Sequence, residues 1–104
     1  MVMEKLQQEI SDFVDKRNWR QFHSPKNLAM ALTVESAELL EIFQWLTASE
    51  SYLLDPETLD RVEQEIGDVM IYLTTLASSL GLDPLTAAKK KLKMNALKYP
   101  PDQP

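Results

Sequence analysis

SPKNLAMALTVESAELLEIFQW, residues 24–45, reads as one amphipathic helix from its first residue to its last. Ser24 is a good N-cap, and Pro25 follows at the first helical position, where a missing N–H costs nothing. Behind that start Leu28, Ala31, Leu32, Leu39, Ile42 and Trp45 recur at the three-and-four spacing of a stripe meant for burial. Two carboxylates, Glu35 and Glu38, are threaded through the stripe. Spaced i, i+3, they lie one turn apart on one helical face.

A lone Glu-x-x-Glu is ordinarily a solvated surface pair. Here the motif borders an apolar face and has an answer further on, Glu65-Ile66-Gly67-Asp68, with 26 residues (39–64) between the two. Asp68 opens onto Val69-Met70-Ile71-Tyr72-Leu73, and no charge then appears until Asp83. Carboxylates pressed toward a core lose solvation and repel one another, so a cluster of four calls for a cation or bound protons. Oxygen-only donors favour Mg²⁺ or Mn²⁺ over the softer metals.

Outward from these helices, the same start recurs. Asp55-Pro56 and Asp83-Pro84 repeat the cap-and-proline pattern of Ser24-Pro25, and an earlier helix is read from Leu6, Ile10, Phe13 and Val14. Helices are expected over 3–18, 25–47, 56–80 and 84–98, with Gly81 as a C-terminal stop and a prolyl tail, Pro100-Pro101-Asp102-Gln103-Pro104, that cannot continue the last one. No stretch alternates like a strand. The fold class is all-α, a four-helix bundle-like protomer forming one domain over residues 1–104. From Val69 to Leu82 only small polar groups and Tyr72 interrupt the hydrophobics, more than a lone small bundle can cover. A homodimer or homotetramer is therefore expected.

Composition narrows the function. Without cysteine there is neither a disulfide scaffold nor a thiolate zinc site. No apolar run reaches the length of a membrane span, and Glu4, Glu9 and Asp12 stand where a signal peptide would be basic and then apolar, so a soluble cytoplasmic protein is expected. The net charge of −5 argues against binding nucleic-acid polymers. It is unevenly placed: residues 1–82 hold six Lys/Arg against fourteen Asp/Glu, a net of −8, while 83–104 hold five against two, a net of +3. An acidic body with a basic last helix suits a metal-bound polyanion of small size, although a solvated amphipathic helix has the same pattern.

At the two carboxylate pairs the chain resembles the MazG-like all-α nucleoside triphosphate pyrophosphohydrolases, whose signature is E-x-x-E followed by E-x-x-D. The likeness extends to Asn18-Trp19-Arg20-Gln21-Phe22-His23-Ser24-Pro25-Lys26-Asn27-Leu28, Glu41-Ile42-Phe43-Gln44-Trp45, Asp68 to Leu73, Lys91, Asn95 and Lys98-Tyr99-Pro100. It covers roughly residues 4–100 and is closest in kind to the dCTP pyrophosphatase branch. The resemblance implies a Mg²⁺-dependent enzyme that cuts a (deoxy)nucleoside triphosphate, dCTP or a related one, between the α and β phosphates. By position, Glu35, Glu38, Glu65 and Asp68 would hold the metal. Trp19, Trp45 and Tyr72 would enclose the nucleoside, and Asn27, Lys91, Asn95 and Tyr99 would lie near base, sugar or phosphates. Glu38 is the candidate general base.

Two readings compete. A non-catalytic helical dimer that binds a nucleotide or a protein would keep the apolar third helix but has no use for paired carboxylates. A di-iron bundle wants Glu-x-x-His motifs, and the only histidine, His23, lies outside both pairs, where a loop residue with a local hydrogen bond is expected.

Overall fold

The computed structural model describes residues 2–101; Met1 and residues 102–104 of the prolyl tail lie outside the described residues. Four helices carry the chain: α1 (Val2–Lys16), α2 (Pro25–Phe43), α3 (Pro56–Ser79) and α4 (Pro84–Lys98), with short 3₁₀ turns at Arg20–Phe22 and Glu50–Tyr52. Among the described residues there is no strand, so the all-α four-helix architecture is as expected.

The three proline-led starts form as the sequence implies. Ser24 Oγ accepts from the Asn27 N–H at 3.1 Å, Asp55 Oδ1 from Thr58 N–H at 2.7 Å, and Asp83 Oδ2 from Thr86 N–H at 2.9 Å. The Thr58 backbone N–H holds the Asp55 carboxyl below its ordinary value, and the Thr86 hydroxyl followed by its N–H does the same for Asp83.

Two helix ends fall short of expectation, each for a readable reason. α1 stops at Lys16 rather than 18 because Asn18 takes a left-handed conformation at φ 55°, which lets Trp19 N–H bond Val14 C=O at 3.1 Å and Asn18 N–H bond Asp15 C=O at 3.2 Å. That is a Schellman closure with asparagine in the place glycine usually takes. Gly81 closes α3 in the same way, at φ 70°, with Leu82 N–H on Ala77 C=O at 2.8 Å. α2 stops at Phe43 rather than 47 because Thr47 and Glu50 form a reciprocal box: Thr47 N–H donates to Glu50 Oε1 at 2.8 Å and Glu50 N–H to Thr47 Oγ1 at 3.1 Å. Thr47-Ala48-Ser49-Glu50 thus begins a new turn instead of ending the old helix. Trp45 is left outside α2 and 87% exposed, so it is not part of the buried stripe.

α2 and α3 run antiparallel. Leu28 shares a cavity with Thr74, Glu35 meets Glu65, and Ile42 borders a surface hollow with Thr58, so positions rising along one helix meet positions falling along the other. α1 lies against α3, and Met3, Ile10, Val14 and Leu28 are the buried apolar residues. α4 meets α3 at their elbow, where Leu76, Ala77 and Leu80 face Pro84, Ala87 and Ala88 across a shallow groove. Of the α3 segment expected to need cover, Ile71, Leu73 and Leu80 stand exposed on the protomer. No helix among the described residues is long and apolar enough to cross a membrane.

Candidate metal centre

The antiparallel pairing of α2 and α3 brings the two acidic motifs face to face. Carboxylate oxygens of Glu35, Glu38 and Glu65 all lie within 4.8 Å of one another. Glu35 and Glu65 are partly covered, while Glu38 and Asp68 are at the exposed rim. The Glu35 side chain as a whole reaches solvent, yet its Oε2 does not, and neither this atom nor the equally buried Glu65 Oε2 has a hydrogen-bond partner.

Electrostatics follow from that packing. Burial, then the charges of Glu38 and Asp68, push the Glu35 carboxyl up to about 7. Sharing a Glu35 proton with the facing Glu65 and Glu38 carboxylates pushes in the same direction. A fully ionised cluster contains no donor, so its two inner oxygens are orphaned. One shared proton relieves this partly, and a divalent cation would relieve it for every member. The three grouped carboxylates, with no imidazole or thiolate among them, are a hard, all-oxygen donor set suited to a divalent cation, and Asp68 is not within the same group. The structural fit to such an ion is therefore good on both geometry and donor chemistry.

Beside this cluster runs a cleft of about 400 Å³ between α1 and α3, bordered by Asp68, Trp19, Tyr72, Phe13 and His23. Its volume is in the range of small-ligand sites. Trp19 reaches it because the Asn18 closure turns the chain back over α1, and the Phe13 and Trp19 rings meet edge to face at 5.5 Å. Arg17 caps the outer face of Phe13, its guanidinium 3.5 Å from the ring centre. Asp68 and the rings of Phe13, Trp19 and Tyr72 thus line one cleft.

The remaining expected contacts lie elsewhere on the protomer. Asn27 Nδ2 donates to Phe22 C=O at 3.0 Å, so its amide is engaged in holding the turn. Trp45 stands out in the turn after α2. Lys91 and Tyr99 are exposed on and just after α4, Asn95 is half-buried, and the Lys98 ammonium lies 5.3 Å from the Tyr99 ring centre. None of these borders the cleft next to Asp68. Phe13 and His23 do border it, although neither was singled out as a binding residue. Phe13 reads in sequence as one more member of the α1 stripe, and nothing local says that it will meet Trp19. His23 is the expected loop residue with a local hydrogen bond, its backbone N–H donating to Arg20 C=O at 3.1 Å, but its ring Nδ1 is buried without a partner.

Comparison with known proteins adds to this geometry. The profile of the MazG-like family matches residues 30–103. The human dCTP pyrophosphatase 1 is 36% identical over 100 residues, 94% of this chain, and the rat protein of the same name is 35% identical over the same share. The chain spans 59% of the length of either relative. The crystal structure of a pyrophosphatase from Archaeoglobus fulgidus DSM 4304 superposes with a TM-score of 0.85 at 43% identity, covering 97% of this chain and 94% of that one.

Proposed function

The chain belongs to the MazG-like family, and from that membership we propose that it is a nucleoside triphosphate pyrophosphohydrolase, converting a triphosphate and water to a monophosphate and pyrophosphate. The observation that carries the reading is the meeting of Glu35, Glu38 and Glu65 across α2 and α3, with orphaned inner oxygens, beside a cleft that Asp68 shares with Trp19 and Tyr72. Such a site offers carboxylates to a metal-bound polyanion and rings to an aromatic base.

In this proposal Glu35, Glu38, Glu65 and Asp68 hold Mg²⁺, for which Mn²⁺ can substitute. Bound there, the ion would supply charge neutralisation for the triphosphate and Lewis acidity at the phosphates. Glu38, at the rim of the cluster, accepts the proton of the attacking water. Trp19 and Tyr72 wall the nucleoside, holding the α-phosphorus in reach of that water. No covalent intermediate is required.

Asn27, Trp45, Lys91, Asn95 and Tyr99 are assigned to the same substrate, the lysine for charge developing on the leaving pyrophosphate. The places of Trp45, Lys91, Asn95 and Tyr99 on the protomer are reconciled with this by oligomerisation, in which a second copy lays its α4 or its post-α2 turn over the cleft, while Asn27 acts through the turn it holds by its bond to Phe22 C=O. The related dCTP pyrophosphatases support a deoxynucleotide, dCTP first, as the substrate, and pool housecleaning as the role.

The test is a panel of nucleoside triphosphates with purified protein and Mg²⁺. Monophosphate and pyrophosphate, with dCTP among the best substrates and activity lost in Glu38→Gln, are expected. Diphosphate and phosphate would mean that a different bond is cut, and binding without turnover on any nucleotide would favour a non-catalytic module.

A further inference from the structure

Adjoining the cleft is a second, smaller hollow of about 100 Å³, bordered by α1, the turn after it, α2 and α3, and lined by Ser11, Arg20, His23, Leu28, Thr74 and Ser78 among others. His23 borders both cavities and so forms part of the wall between them. Several of the polar groups around the smaller one are already engaged. Arg20 Nη2 donates to Ser11 Oγ at 2.9 Å, its Nε to Asp15 at 2.7 Å, and Thr75 Oγ1 to Ile71 C=O at 2.7 Å.

Two atoms are left over, His23 Nδ1 and Thr74 Oγ1, both buried and without partners. Thr74 is 0% exposed, the one fully buried polar residue of the described chain. Its hydroxyl also breaks the habit of its neighbours: Thr33, Ser36 and Thr75 each donate to the carbonyl four residues back, and Thr74 does not. A buried hydroxyl or imidazole nitrogen left unpaired is destabilising, so a polar partner in the cavity is strongly favoured. The volume is well above the roughly 10–15 Å³ that one water needs, and the lining is polar enough to hold it.

We propose that ordered water in this cavity bridges His23 Nδ1 to Thr74 Oγ1, and that the bridge makes His23 a positioning residue of the adjoining cleft. The imidazole sits at the end of the turn that carries Trp19, and Thr74 sits on α3 two residues beyond Tyr72. Tying the two together fixes the spacing of the aromatic walls. The effect on nucleotide binding rests on the function proposed above; the bridge itself does not.

His23 is the only histidine, so its ring nitrogens give an unambiguous ¹⁵N signal. In Thr74→Val, which keeps the shape and removes the hydroxyl, that signal should move, the melting temperature should fall by roughly 4–8 °C, and KM should rise at least about threefold with kcat within about twofold. Thr74→Ser should restore all three. An unmoved His23 signal overturns the bridge. So does a melting temperature that rises, because in a dry cavity valine would relieve an unpaired hydroxyl. If the signal moves and KM does not, the positioning role is overturned. Absence of turnover on any nucleotide counts against the proposed function, while the His23 signal still decides the bridge.

Discussion

Glu35 is the residue on which the acidic cluster turns, because it is the member that burial and its neighbours hold protonated to about pH 7. A carboxyl whose folded value is raised from 4.5 to about 7 contributes stability that is fully present below the lower value and lost as pH rises through the upper. The metal-free protein should therefore melt at progressively lower temperature between about pH 4.5 and 7. Mg²⁺ should reverse the trend at the alkaline end, since it binds the ionised cluster. Thermal melts across that range, with and without Mg²⁺, check this, and in Glu35→Gln the metal-free slope should flatten. The two tryptophans divide at the same scale. Trp45 is 87% exposed, so Trp45→Ala should leave the melting temperature unchanged. As a wall for the base it should raise KM roughly ten- to a hundredfold, about 1–3 kcal/mol of lost stacking, with kcat near normal. Kinetics and melts on one preparation measure both. The exposure of Trp45 was legible in principle, since Thr47-Ala48-Ser49-Glu50 spells a capping box; the apolar periodicity running through Ile42 to Trp45 simply outweighed it. That the two acidic motifs would converge was legible in their matching spacing and apolar borders, but which carboxylates meet was not, since that depends on the register of α2 on α3.

At the scale of the helices, starts were easier to read than ends. A cap followed by proline marks a start locally, and Ser24, Asp55 and Asp83 all form the bonds that this implies. The ends of α1 and α3 depend on which residue turns left-handed, and glycine announces that most plainly. Gly81 did so; Asn18, performing the same closure, did not. The two sites respond oppositely to substitution. Gly81→Ala meets no atom within 4 Å, so its cost is conformational alone, about 1–2 kcal/mol. Asn18→Gly should be neutral or mildly stabilising, because the left-handed conformation suits glycine better. Ser24→Ala should cost about 1 kcal/mol through loss of the α2 cap. Chemical denaturation of the three variants would show this order, and a destabilised Asn18→Gly would mean that the asparagine side chain contributes something beyond its backbone.

The molecule as a whole is larger in outline than its mass requires. Its accessible surface is 8494 Å², against about 6,000 Å² for a compact chain of this mass. Its radius of gyration is 16.9 Å, against about 13 Å for a compact chain of this length. Leu59, Ile66 and Leu73 along α3, and Leu80 at its C-cap, repeat every seven residues and are all exposed, the pattern of a seam between helices. We infer that copies associate through this face. Light scattering at micromolar concentration should give a dimer or tetramer, and Leu73→Glu should lower the mass observed. A wild-type monomer would contradict the inference and leave Lys91, Asn95 and Tyr99 without a route to the cleft. Sequence alone identified the excess of apolar surface but not its placement, because which faces stay bare depends on how α1 and α4 pack.

In the proposed reaction the carboxylates of α2 and α3 direct water onto the α-phosphorus of a nucleoside triphosphate. Turnover of dCTP with Mg²⁺ in ¹⁸O-labelled water, with ³¹P detection of the products, tests this most directly. One labelled oxygen in the nucleoside monophosphate and none in the pyrophosphate are expected, whereas label in the pyrophosphate, or release of diphosphate and inorganic phosphate, would contradict it.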